Sequence, residues 1–316
     1  MIQAIFDDQC AETRHLWRYP DTDEWDPDRN TNEFCEQLPT YRSYGLLAVT
    51  VGLQGGGSIY TPEIYEKYEN SAYTPDGQLR EPYFDRLSRI LEASDRAGMV
   101  VIVNYFYVMH GRRIQDEATV YEITEKVTDW LLESGHENVL VDVANEAGEL
   151  WDRPIFQSDG IHNLIETVQS RSLEGRRLLA SSSTPGGVIP DAKRRSVEDF
   201  SLPHGNGCTP EELRTMLRNL KDTPEFRERP RPIVINEDSI HLENLAAAVD
   251  EYASWGYFSQ GYGSDCNGSH KWNERPREER YEDLSGFQTV PVNWSINTER
   301  KRRFFDRIKK ITSSED

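Results

Sequence analysis

The stretch VLVDVANE, residues 139–146, decides how this chain is read. It is strand-length, apolar nearly throughout, and stops abruptly at Asn145-Glu146. A run of that kind suits a strand covered on both faces, as in a parallel sheet. Upstream, residues 117–134 place Val120, Ile123, Val127, Trp130 and Leu131 at helical spacing. Downstream, residues 161–172 continue with a second amphipathic stretch. The segment therefore reads as the strand of a β–α unit, and the same alternation extends outward in both directions.

Seven more apolar runs complete the series. They fall at residues 2–6 (IQAIF), 46–53 (LLAVTVGL), 100–108 (VVIVNYFYV), 177–182 (RLLASS), 197–202 (VEDFSL), 232–236 (PIVIN) and 253–259 (ASWGYFS). Helical patterns stand between them at 31–44, 81–97, 117–134, 161–172, 210–220 and 242–252, with a weakly written one near 190–196 and a closing one at 298–311. Gly45 and Gly98 follow two of these stretches, where a left-handed cap residue is expected. Eight strands alternating with helices predict an α/β protein, a (β/α)8 TIM barrel forming one domain over 1–316. An open doubly wound sheet would favour a glycine-rich phosphate loop after the first strand; Asp7-Asp8-Gln9 stands there instead. Two connections are longer than normal, at about 7–30 and 261–290. Both follow strands, so both are expected on the C-terminal face, where barrels carry their sites.

Composition excludes several functions. The formal net charge is −19, which repels nucleic acid and anionic membranes, so neither is expected as a partner. Only eight of the 36 basic residues are Lys, and a hydrated acidic surface of this kind suits high salt. Cys10, Cys35, Cys208 and Cys266 lie far apart with no CxxC pair, so no zinc site and no disulfide framework is expected. No metal or other cofactor is called for. The opening MIQAIFDDQC does not read as a signal peptide, and no apolar run reaches bilayer-spanning length, so a cytoplasmic protein is expected. Oligomeric state is not legible.

In such a barrel, side chains at the C-terminal ends of strands share one pocket. Strand four ends in Asn145-Glu146 and strand seven in Asn236-Glu237, with Asp238 next. Two carboxyl groups facing one pocket can divide glycosidic cleavage between a proton donor and a nucleophile. A separation of about 5–5.5 Å gives retention and a wider gap leaves room for water and inversion. Around this pair stand weaker candidates for binding substrate. His204, after strand six, can hydrogen-bond Glu237 or a hydroxyl. Trp255, on strand eight, offers either a stacking face or core packing. Asn104, Tyr105 and Tyr107 end strand three, and alternation lets only one set of them face the pocket. Gln54 and the glycines after it can admit a ligand close to the backbone or simply turn the chain. Asp7 and Asp8 can bind hydroxyls or cap the next segment. Trp17, Tyr19, Trp25, Trp272 and Trp294 can line subsites or anchor their loops.

These strand ends resemble those of the large clan of retaining glycoside hydrolases built on (β/α)8 barrels, which includes the cellulase-like enzymes. More narrowly, the chain resembles cellulase-like barrel proteins carrying IFDD, LQGG, HGNG, NED and ASWG, found here at 5–8, 53–56, 204–207, 236–238 and 253–256. The resemblance covers nearly the whole chain. It implies Glu146 as acid/base, Glu237 as nucleophile, Asn145 as ligand for the sugar 2-hydroxyl, and a carbohydrate substrate. The chain departs from the clan at the end of strand two. There the clan carries an arginine that supports the nucleophile, and Leu53-Gln54-Gly55-Gly56-Gly57 stands in its place. The alternative that departure leaves open is a barrel that binds sugar without cleaving it. A metal-dependent barrel hydrolase would usually show HxH after strand one, and the seven His include no such pair.

Overall fold

The runs that read as strands two to five form one continuous parallel sheet in the computed structural model, which describes residues 1–55, 67–259, 281–284, 286–288 and 290–313. Its strands are β1 (Ala48–Gly52), β2 (Val100–Phe106), β3 (Val139–Ala144) and β4 (Leu179–Ser181), hydrogen-bonded in that order. Two further strands, β5 (Val234–Ile235) and β6 (Ser254–Trp255), pair in parallel with each other.

The first and sixth expected strands are present as single parallel bridges rather than ladders. Ile2 pairs with Val51, while Ser201 pairs with Ile233 and Thr184 with Pro203. The sixth is short because its first residues belong elsewhere. Helix α6 (Ala192–Val197), N-capped by the Asp191 side chain, takes Val197 into its last turn. Backbone bonds still carry the order round: Ile2 to Thr50, Asp199 to Ala180, Ser201 to Pro232, and Ser254 to Ile233. The chain is thus a (β/α)8 barrel of eight staves. Among the described residues no backbone bond joins the eighth stave to the first. An apolar cavity of about 390 Å³, lined by Ile2, Thr50, Ile102, Asn236 and Trp255 among others, occupies that seam.

Strand alternation sorts the side chains between helix layer and barrel interior. Val101, Val103 and Tyr105 are buried in one cluster with Leu87 of α2 (Glu81–Arg96) and with Ile123 and Val127 of α4 (Glu117–Glu133). Ile102 and Asn104 take the opposite face, in register with Leu140 and Asp142 of β3. Tyr105, expected as a candidate at the pocket, therefore points outward; its hydroxyl lies 3.2 Å from Thr128 Oγ1 in the helix layer. A second cluster sets Leu213 and Leu217 of α7 (Pro210–Lys221) against Ile235 and against Ala247 of α9 (Leu242–Asp250).

Helix α1 (Pro27–Ser43) begins four residues before the expected start, because Asp26 caps it and Pro27 fits its first turn. The long connection at 7–30 is packed by its own side chains. Asp8 accepts hydrogen bonds from the Cys10 amide (2.9 Å), Thr13 Oγ1 (2.5 Å), Trp17 Nε1 (2.7 Å) and the Glu69 amide (2.8 Å). Asp7 is ion-paired with Arg14. Trp17 and Trp25 are buried against Phe6, Tyr19 is buried in a stack on Trp25, and Trp294 is buried too. All four anchor loops. The bulk of the 261–290 connection, with Cys266 and Trp272, lies outside the described residues, as do Gly56 and Gly57. No helix among the described residues is long and apolar enough to cross a membrane.

Candidate active site

Glu146 leaves the top of β3 in a left-handed conformation, φ 50°, uncommon for a residue with a side chain. Hydrogen bonds on both sides of the turn over-determine it. Its amide donates to Ser183 Oγ at 2.9 Å, and the next amide, of Ala147, donates to the Ser183 carbonyl at 2.9 Å. Ser183 is itself fixed by Asp142: its amide reaches Oδ1 at 2.9 Å and its hydroxyl reaches Oδ2 at 3.1 Å. Arg194 of α6 closes the turn from behind, donating to the carbonyls of Ser182, Ser183 and Ala147.

Glu237 follows β5 and is 8 % exposed. Its Oε1 accepts from Asn206 Nδ2 at 3.2 Å, and the Met1 amino group stands 3.3 Å from its Oε2. Burial pushes the carboxyl up, but the Met1 ammonium, His204 and Asn206 outweigh burial and hold it below the usual carboxylate value.

His204 joins the two. It is fully buried, with Nδ1 3.4 Å from Glu146 Oε1. Burial disfavours its charged form, yet Glu237, Glu146 and Asp142 together hold its proton above the ordinary imidazole value. One donor atom from each of Glu146, His204 and Glu237 lies within 4.8 Å of the others. Among the described residues, these three are also the one set of side chains close enough together to hold a metal ion.

The remaining expected residues divide sharply. Asn145 flanks the pair, and its side-chain amide has no hydrogen-bond partner among the described residues, so it can serve a ligand. Gln54 cannot serve in the same way, since both ends of its amide are engaged: Nε2 donates to Ser71 Oγ at 2.9 Å and Oε1 accepts from the Tyr107 amide at 3.1 Å. Gln54 braces the end of β1. Asn104 is fully buried beneath the site and donates to Asp142 Oδ2 at 3.0 Å, so it reaches a carboxylate rather than a substrate. Trp255 donates its indole N–H to Asp238 Oδ2 at 2.7 Å and packs against Phe304 of α10 (Glu299–Thr312). It belongs to the packing behind Glu237, the second of the two places open to it from the sequence. Three residues at the site carry no obvious signal in the sequence: Asp142, Ser183 and Asn206. Asn206 stands two residues after His204 in HGNG, and Asp142 is the lone charge inside VLVDVA.

Comparison with solved structures agrees with this architecture. A family 5 glycoside hydrolase from Bacteroides vulgatus superposes with a TM-score of 0.59 at 11 % identity, over 89 % of this chain and 64 % of that one. The chain thus spans less than two-thirds of that structure's length. A broad-specificity endoglucanase from Clostridium longisporum gives 0.56 at 9 % identity, covering 88 % and 86 % of the two chains. A family 5 glycoside hydrolase from Prevotella bryantii, solved with a xyloglucan tetradecasaccharide, gives 0.54 at 10 % identity over 87 % and 86 %. The chain has the cellulase-like barrel fold. No protein-family profile and no curated protein matches it by sequence.

Proposed function

We propose that this protein is a retaining glycoside hydrolase that cleaves O-glycosidic bonds of an oligo- or polysaccharide by double displacement. One observation carries the reading: oxygens of Glu146 and Glu237, from the fourth and seventh staves, lie within 4.8 Å of each other at the C-terminal face. Closest oxygens within that limit fit the ~5–5.5 Å carboxyl separation of retaining enzymes better than the ~6.5–9.5 Å of inverting ones.

In this reading Glu237, held ionised by its neighbours, attacks the anomeric carbon. Glu146 delivers a proton to the departing oxygen and then draws one from the incoming water. Asn145, with its amide free beside Glu146, binds a hydroxyl of the reacting sugar. His204 contacts Glu146 and bears on the charge of both carboxyls.

The test uses an activated aryl glycoside and a panel of polysaccharides, at low and high salt. Glu237→Ala and Glu146→Ala each abolish turnover, and azide restores it in Glu237→Ala by taking the place of the missing nucleophile. Turnover persisting in both variants removes the mechanism. A wild-type protein that binds oligosaccharide without cleaving any member of the panel favours the sugar-binding barrel instead.

A further inference from the structure

Beneath the carboxyl pair lies a buried polar chain that the cleavage reaction does not by itself require. Asn104, Asp142 and Ser183 are each fully buried, on three adjacent staves. Asn104 Nδ2 and Ser183 Oγ both donate to Asp142 Oδ2, the Ser183 amide donates to Oδ1, and Ser183 Oγ accepts the Glu146 amide. A buried carboxylate costs folding energy unless it is well partnered, and a neutral amide would have filled this place more cheaply. Asn104 Oδ1 is buried with no partner, so a turned Asn104 side chain would suit a neutral amide at 142 as well.

We propose that Asp142 is a positioning residue for the carboxyl pair, fixing the left-handed turn of Glu146 through Ser183 and facing His204 with its charge. The inference rests on the glycosidase reading of the same site and adds a residue to it. Two charged groups from other elements act on Asp142 through space. One is His204 of the sixth stave, itself under the influence of Glu146 and Glu237. The other is Arg194 of α6, which is ion-paired with Asp191 at 3.5 Å and also feels the charge of Glu198. Burial raises the Asp142 carboxyl to about 6, opposed by Ser183, His204 and Asn104. Asp142 and His204 therefore oppose each other in sign, each favouring the ionised form of the other.

Asp142→Asn removes the charge while keeping the shape, and two measurements read the result. The first is the His204 imidazole titration followed by NMR, which needs no turnover; it moves to lower pH in Asp142→Asn. The second is turnover: kcat falls by roughly 10–100-fold with KM within about threefold, the scale expected from misplacing a reacting group. Ser183→Ala gives a similar fall, and the double variant is no worse than the poorer single one, as coupled neighbours require. An unmoved His204 titration overturns the proposal. So does an unchanged kcat in an active enzyme, or additive losses in the double variant. If wild-type protein cleaves no glycoside while the His204 titration still moves, the glycosidase reading fails and the placement of Asp142 stands.

Discussion

Replacing Gly205 by alanine tests whether the loop after the sixth stave and the end of the seventh form one rigid unit. Gly205 lies between His204 and Asn206, and its amide donates to the Glu237 carbonyl at 2.9 Å. A Cβ placed there would stand 2.3 Å from Asp238 Oδ2 and 2.6 Å from its Cγ. Relief to the 3.0 Å that real contacts respect needs a shift of about 0.7 Å. Asp238 cannot give way easily: its oxygens hold Trp255 Nε1 at 2.7 Å and Asn244 Nδ2 at 3.0 and 3.2 Å. Hydrogen bonds to a charged group are each worth about 1.5–3 kcal/mol, and overpacking costs about 1–3 kcal/mol. One such bond lost on top of overpacking predicts a loss of about 2.5–6 kcal/mol, which for a chain of this size lowers Tm by roughly 4–9 °C. Because Asp238 follows Glu237 directly, the shift also displaces Glu237, and on the proposed mechanism kcat on an aryl glycoside should fall by on the order of 100-fold. Differential scanning fluorimetry and steady-state kinetics check both. A Gly205→Ala protein that melts within 1 °C of wild type, by the same conversion, and keeps its kcat would refute the rigid coupling.

Tyr105→Phe removes a hydroxyl from the helix layer and should cost no more than about 1 kcal/mol while leaving turnover unchanged; a large loss of kcat would return Tyr105 to the pocket. Incubation with EDTA should leave hydrolysis intact, and activity lost to the chelator and restored by a divalent cation would make Glu146, His204 and Glu237 metal ligands. Burial lowers the Lys301 ammonium to about 7, so the folded state binds fewer protons than the unfolded chain above that pH. Stability should therefore rise as pH rises from about 7 towards 10, and Lys301→Met should flatten that limb of a Tm–pH curve. Glu237, held below its ordinary value, contributes stability that is present above the unfolded carboxylate pKa and lost as pH falls through the folded one. Glu237→Gln should accordingly weaken the acid limb of the same curve.

The architecture is legible where periodicity is strong. The runs VVIVNYF and VLVDVA are apolar enough to announce buried parallel strands, and they form the most regular part of the sheet. VEDFSL is harder, because Glu198 is buried in an ion pair with Arg231 and Ser201 hydrogen-bonds to it, so its polar residues face the interior. The carboxyl pair is legible too, since a Glu at the end of an apolar strand has few reasons to be there but chemistry. Its partners are not, because their roles come from contacts between staves. Nothing local says that Ser183 touches the Glu146 amide 37 residues away. Gln54 and Trp255 mislead for the complementary reason: a polar or aromatic residue at a strand end looks available until its amide or indole is seen to be engaged.

The missing arginine of the second stave bears on how Glu237, the proposed nucleophile, can be kept ionised. Gln54, at the corresponding strand end, is neutral and fully engaged, so β1 supplies no charge to Glu237. The Met1 ammonium, 3.3 Å from Glu237 Oε2, and the loop after the sixth stave supply it instead. His204 and Asn206 are two residues apart, and Gly205 between them, lacking a Cβ, lets the loop lie directly against Asp238. That closeness brings the imidazole into the field of both carboxyls and the Asn206 amide onto Glu237 Oε1. A neutral replacement separates the two contributions. His204→Asn should raise the lower pKa of the kcat/KM profile, by removing a positive neighbour from Glu237, while Asn206→Ala should raise it less, since a neutral donor is the weaker of the two influences. Equal shifts, or none with His204→Asn, would mean that charge from this loop does not hold Glu237 ionised.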